Sequence, residues 1–217
     1  MKLDDYLTGF NRLRALYNTV NQEFSSKRLV QHDWNHVLRD VARAITIGEA
    51  EKADVETVLA ATLLHDIGRL HPEMGEDHVK VGARLASKLL ENADFTDKQV
   101  KEIVHCIETH ETYSLKEPKS IEAKVVHDAD ALEKCGEIGV ARVFNYFIGE
   151  KGLTIKQMME TNDEENELHP PIFYTQTGNR LGEKRFLRAH EFWKQLRNEL
   201  AQEERETKSI IPSYEEK

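Results

Sequence analysis

The chain has 217 residues, of which 39% are hydrophobic and 32% charged, and carries a formal net charge of −9. That balance permits one folded domain with a sizeable core and excludes a largely disordered or fibrous chain. Basic residues scattered among a surplus of acids argue against general nucleic-acid binding, which needs clustered Lys and Arg, yet leave room for a small anionic ligand held by a local cation.

Apolar residues recur at steps of three and four almost throughout, and alternation of period two is nearly absent, so the expected fold is all-α, a compact helical bundle without a sheet. The first helix carries a stripe from Leu3 and Tyr6 through Leu13, Leu16 and Val20 to Phe24. The second runs from about Trp34 to Glu49 behind an Asp33 cap, with His36 beside its apolar stripe. The third is expected from Asp54 to Ile67, becomes apolar on most sides in "VLAATLLHDIG" and stops at Gly68. A fourth, around Asp77 to Leu90, turns His78 inward, and a fifth, capped by Thr96, continues its apolar face into His110 while His105 turns partly away. After a loop in "YSLKEPKS", two more helices cover Ser120–Cys135 and Gly139–Phe147, broken at Gly136. A polar segment then leads to a last helix with Phe186, Ala189, Trp193, Leu196 and Leu200 in phase. The expected organisation is a single domain over 1–205, its metal-binding core about 30–150, followed by a flexible tail over 206–217.

Cys106 and Cys135 form no CxxC pair and no disulfide framework, no apolar run approaches the ~20 residues that span a bilayer, and the N-terminal residues lack the pattern of a signal peptide. A cytoplasmic protein with no membrane contact is the expectation. Oligomeric state is left open, because an exposed apolar face cannot be read from the sequence.

The residues that carry chemistry centre on His65 and Asp66. A carboxylate in an otherwise apolar helix end is costly to bury without a partner, and a cation is such a partner. An adjacent His and Asp can converge on one metal, with His36 on a neighbouring helix completing one face of the coordination sphere. A further oxygen ligand comes from Asp128 or Asp130 in "VVHDADALE", and such a donor set suits Mn, Fe, Mg or Co. Helix phase slightly favours Asp128, which lines up with Ile121, Val125 and Leu132.

An early His, an adjacent His-Asp pair and a late Asp resemble the pattern of the HD-domain phosphohydrolase superfamily. His36 in "HDWNHVLRD", His65 and Asp66 in "HDIGR", and Asp130 in "DADALE" match in order and approximate spacing. The segments "IETHETYS", "GEIGVARVF" and "TQTGNRLGEKR" look like parts of bacterial and archaeal HD hydrolases related to nucleotide pyrophosphatases, so the resemblance covers most of residues 30 to 200. It selects Asp130 over Asp128 and implies hydrolysis of a nucleotide or other small phosphorylated substrate by a metal-activated water, with Asp66 orienting or deprotonating that water. Arg69 and Arg142 are the expected phosphate-neutralising residues. His78 stands where two-metal relatives often place another ligand, with His110 as its companion and Asp66 bridging; one ion or two are equally open. Two other functions compete: two-iron oxygenase chemistry, motivated by six possible ligands, and a non-catalytic module in which metal or nucleotide binding stabilises a partner surface. His32, His71, His105, His127 and His169 read as surface or loop residues, His190 as packed beside Trp193, and the acidic run Asp163 to Glu167 as a solvated surface.

Overall fold

A computed structural model describes residues 1–27, 29–111, 116–162 and 171–211. Among them there is no strand, as the period of the apolar residues requires. The acidic run at 163–167, His169 and part of the "YSLKEPKS" loop lie outside the described residues. Ten α-helices are described: α1 Leu3–Gly9, α2 Asn11–Ser26, α3 Trp34–Glu51, α4 Val55–Leu64, α5 His78–Asn92, α6 Asp97–Glu108, α7 Ile121–Ala131, α8 Gly136–Phe144, α9 Ile155–Asn162 and α10 Gln176–Ile210. By internal contacts the chain divides into two compact units. One is Met1–Lys134 with Pro171–Gly182, and the other is Cys135–Pro170 with Glu183–Lys217.

The first unit contains the larger core. In it α3 packs on α4 and α7, and α6 packs on α4, α5 and α7. α4 is the central element: every residue from Glu56 to Leu64 is buried, because its neighbours cover it on all sides. Truncating one of its fully buried leucines, such as Leu63, belongs to the class of core cavities that cost about 2–5 kcal/mol. The second unit has its own apolar cluster of Val140, Phe147, Met158, Met159, Ala189 and Trp193, with the Phe144 and Trp193 rings stacked at 5.6 Å. Among the described residues no helix is long and apolar enough to cross a membrane.

Several elements differ from the sequence expectations, among them the helix expected over Gly139–Phe147, which begins at Gly136 as α8 and passes at Asn145 into a π-helical stretch that ends at Glu150. The first helix is two, because Phe10 is extended (φ −124°, ψ 94°) between α1 and α2. The third ends at Leu64 rather than Ile67, and residues Ile67–Leu70 form a 3-10 turn instead. α9 was not expected; its entrance is a cap in which Thr154 Oγ1 accepts from Gln157 N at 3.2 Å while Gln157 Oε1 accepts from Thr154 N at 3.0 Å. The last helix continues past 206 to Ile210.

Candidate metal centre

Capping places the first residue of the site. Asp33 accepts from the backbone N–H of His36 at 2.8 Å, which starts α3 and puts His36 in its first turn, fully buried in the first unit. His65 and Asp66 sit where α4 gives way to the 3-10 turn. Asp66 leaves helical geometry (φ −106°, ψ 10°), so its carboxylate turns to the same side as the His65 ring. Gly68 makes this turn possible: a Cβ there would lie 1.9 Å from the carbonyl oxygen of His78 and 2.6 Å from the N of Gly82, so only glycine lets the turn lie against α5.

The imidazole nitrogens of His36, His65 and Asp66's carboxylate converge. Nε2 of His36 lies 3.2 Å from Nε2 of His65, and the two nitrogens are 3.3 and 3.4 Å from the same Oδ2 of Asp66. Asp130 Oδ1 is 3.8 Å from His36 Nε2, and His110 Nε2 is 3.8 Å from Asp66 Oδ1. His65 Nδ1 donates to the carbonyl of Thr62 at 2.7 Å, and His110 Nδ1 to that of Ile107 at 2.7 Å. Those bonds put the ring proton on Nδ1 and turn the lone pair of Nε2 into the site. Two buried imidazoles whose facing nitrogens are this close need a cation or a proton between them. A divalent metal fits the donor chemistry of two or three imidazoles with carboxylate oxygens. Four overlapping groups of donors are close enough to hold an ion: His36, Asp40, His65 and Asp130; His32, His36 and Asp66; His65, Asp66 and His110; and His78, His110 and Glu111.

The electrostatics follow from this crowding. Burial pushes His36 down, but Asp40, Asp66, Glu133 and Asp130 outweigh it and raise its pKa to about 10. Burial raises Asp40 to about 7, helped by Asp130 and Glu133 against the charge of His36. Asp66 is held well below the usual carboxylate range: burial opposes ionisation, and His65, His32 and His36 overcome it. His110 is lowered to about 4 by burial and by the charge of His65. Glu111 is lowered to about 2, chiefly by its bond from His78.

The expected site residues are not all alike. His36, His65, Asp66, Asp130 and His110 come together in the first unit, whereas His78 is half-buried at its edge, 3.0 Å from Glu111 Oε1. Arg69 is near, but its guanidinium is engaged by Asp66 Oδ1 at 2.6 Å and Glu111 Oε1 at 2.9 Å. Arg142 is on α8 of the second unit and half-buried. Asp128 is fully buried and points elsewhere: its carboxylate accepts from the N–H of Tyr174 (2.9 Å), the N–H of Thr175 (2.8 Å) and the hydroxyl of Thr175 (2.6 Å), so it anchors the start of α10.

Four site residues escaped the sequence reading: His32, Asp40, Glu111 and Glu133. His32, read as a surface residue, holds Asp66 Oδ2 through Nδ1 at 2.5 Å. Asp40 could have been found, since it is four residues after His36 on one helix and so faces the same way. Two other histidines also differ from expectation. His127 is buried, its ring edge-on to Tyr174 at 4.8 Å, and His190 is exposed and stacks on Phe186 rather than Trp193.

A family model described as the HD domain matches residues 33–135, the segment that holds all four of His36, His65, Asp66 and Asp130. A predicted HD superfamily hydrolase from an uncultured Thermotogales bacterium superposes with a TM-score of 0.69 at 31% identity, covering 92% of this chain and 99% of that one. The chain belongs to the HD-domain superfamily. Its fold is that of HD superfamily hydrolases. The Bacillus subtilis protein YpgQ, solved in complex with ADP, is also similar, with a TM-score of 0.69 at 27% identity over 87% of this chain and 95% of that one. In sequence, YpgQ of Bacillus subtilis (strain 168) is 36% identical over 126 residues, which are 56% of this chain and 59% of that protein. The match therefore spans less than two thirds of the length of this curated relative.

Proposed function

We propose that this HD-domain protein is a metal-dependent phosphohydrolase acting on a nucleotide or another small phosphorylated substrate. One observation carries the reading: Nε2 of His36 and Nε2 of His65 face each other at 3.2 Å around one oxygen of Asp66 in a buried site. A similar protein, YpgQ, was solved with ADP, which supports a nucleotide as substrate.

In this reading His36, His65, Asp66 and Asp130 hold a divalent ion of the Mn, Fe, Mg or Co class. When bound, such an ion polarises a phosphoryl oxygen and lowers the pKa of water. Asp66 is the catalytic residue that orients the attacking water; its ionised state is secured by His65, His32 and His36. Arg69, beside Asp66, neutralises phosphate charge by exchanging one of its two carboxylate partners for a phosphate oxygen. His110, its Nδ1–H held by the carbonyl of Ile107, stays neutral near pH 7 and accepts a hydrogen bond at Nε2.

The test is metal content of the purified protein together with phosphate release from a panel of nucleotides with added Mn²⁺, Mg²⁺, Co²⁺ or Fe²⁺. Release that depends on metal and is lost in Asp66→Ala is the expected result. Release that survives both chelation and that substitution would overturn the reading.

A second reading is two-iron oxygenase chemistry, favoured by the adjoining donor group of His78, His110 and Glu111. Two irons per chain with no phosphate release would move the assignment there, and a single metal per chain would remove it.

A further inference from the structure

Beside His36 lies a closed group of charges to which the proposed reaction gives no role; its nearest atom to the site, Asp40 Oδ2, is 3.3 Å from His36 Nδ1 and 3.8 Å from His65 Nε2. Glu133 is fully buried, yet both its oxygens are occupied: Arg39 binds it through Nε at 2.9 Å and Nη2 at 2.8 Å, and Arg43 Nη1 lies 2.5 Å from Oε1. The same Arg43 nitrogen donates to Asp40 Oδ1 at 2.7 Å. The other oxygen of Asp40, Oδ2, is buried and has no hydrogen-bond partner among the described residues, and His36 Nδ1 is in the same position. These two orphaned atoms lie 3.3 Å apart.

A buried donor beside a buried acceptor, each otherwise unmatched, is a bond waiting for a small rotation of either side chain, because leaving both unpaired costs the desolvation of each. Glu133 Oε2 is equally near His36 Nδ1, at 3.3 Å, but it already accepts from Arg39 Nη2 at 2.8 Å, whereas Asp40 Oδ2 accepts from none of the described residues. Asp40 has the open acceptor. It is also on the same helix, one turn on, and cannot drift from His36 without unwinding α3.

We propose that Asp40 is a positioning residue that accepts the Nδ1–H of His36, fixes the tautomer whose Nε2 lone pair faces His65 and Asp66, and is itself held in place by the Arg43–Glu133–Arg39 group. His65 and His110 are fixed by backbone carbonyls that no substitution can remove, whereas His36 depends on a side chain. Asp40 therefore makes one of the three histidines tunable. A carboxylate behind a ligating imidazole also makes the ring a stronger donor, and loss of such a partner typically costs about 10–100-fold in metal affinity.

This inference rests on the metal reading above, and the experiment separates the two. Mn²⁺ affinity is measured by electron paramagnetic resonance on the full chain for wild type, Asp40→Asn and Asp40→Ala. Proton–nitrogen spectra of the Zn²⁺-loaded proteins, labelled in histidine, then report each Nδ1–H. The expected result is affinity weakened by about 10–100-fold in Asp40→Ala and by less in Asp40→Asn, whose amide oxygen still accepts. The protected Nδ1–H signal of His36 disappears in Asp40→Ala while those of His65 and His110 persist, which shows the site still folded. If Asp40→Ala does not fold, a weakened His36 signal in Asp40→Asn carries the test. An unchanged His36 signal in either variant would overturn the proposal, and so would an Asp40→Asn affinity as poor as that of Asp40→Ala, which would make Asp40 a direct ligand. Absence of Mn²⁺ binding in the wild type would remove the metal reading and this inference with it.

Discussion

Asp128 and Asp130 are two residues apart on one helix and have different partners. Helix phase pointed toward Asp128; the carboxylate nearest His36 is that of Asp130, while Asp128 binds the backbone of Tyr174 and Thr175. Substituting Asp128 by Ala leaves those buried donors unpaired, and a loss of about 3 kcal/mol in denaturant unfolding is expected, with the metal ligands intact. Asp130→Ala is expected to do the reverse, weakening metal binding while costing little stability in the metal-free protein; equal effects from both would contradict the division. The histidines were partly legible for the same reason. Spacing singled out His36, His65 and His110, whose rings lie together, but His32 and His127 looked like loop and surface residues because their partners, Asp66 and Tyr174, come from distant parts of the chain. The pH response belongs at this scale too. His110 is lowered to about 4 in the folded chain, so its contribution to stability is fully present above its ordinary value of 6.5 and is lost as pH falls through 4. In metal-free protein, the stability advantage of wild type over His110→Gln should shrink between pH 6.5 and 4 in thermal melts, and an advantage that grows on acidification would refute the assignment.

Periodicity was a sound guide to whole helices and a poor one to their ends. The apolar steps of α3, α5 and α6 place their buried faces, since burial against neighbours is what selects the pattern. They say nothing of Phe10, where one continuous stripe hides a break between α1 and α2, nor of the turn after Leu64, which a helical pattern runs straight through. That turn is set by contact rather than pattern: Gly68 must fit under the carbonyl of His78. Gly68→Ala would force the turn and α5 apart. The expected outcome is a loss of about 1–3 kcal/mol by overpacking, together with weaker metal binding, because Asp66 is part of the same turn. Stability lost with metal affinity unchanged would show that the turn does not position Asp66. The short helix α9 went unseen because it presents only Met158 and Met159 to the apolar cluster of the second unit, too few positions to mark a period.

For the molecule as a whole, the all-α class and the family were legible because both depend on features that repeat or keep their order along the chain. The charged groups behind the ligands were not, because Arg39, Arg43 and Glu133 meet across helices and no local pattern announces them. A site that gathers Asp40, Asp66, Asp130 and Glu133 around buried imidazoles concentrates like charge in the metal-free protein, which a bound divalent ion would relieve. Metal should therefore stabilise the folded chain. At a free concentration a hundred times Kd the linkage amounts to about 2.7 kcal/mol, so Mn²⁺ should raise Tm and chelation should lower it, with no such shift in Asp66→Ala. The most direct test of the metal centre is anomalous X-ray diffraction from crystals grown with Mn²⁺. A peak bounded by Nε2 of His36, Nε2 of His65, Asp66 and Asp130 is the expected result; a well-ordered site without that peak, or Mn²⁺ bound only by other residues, would contradict the account.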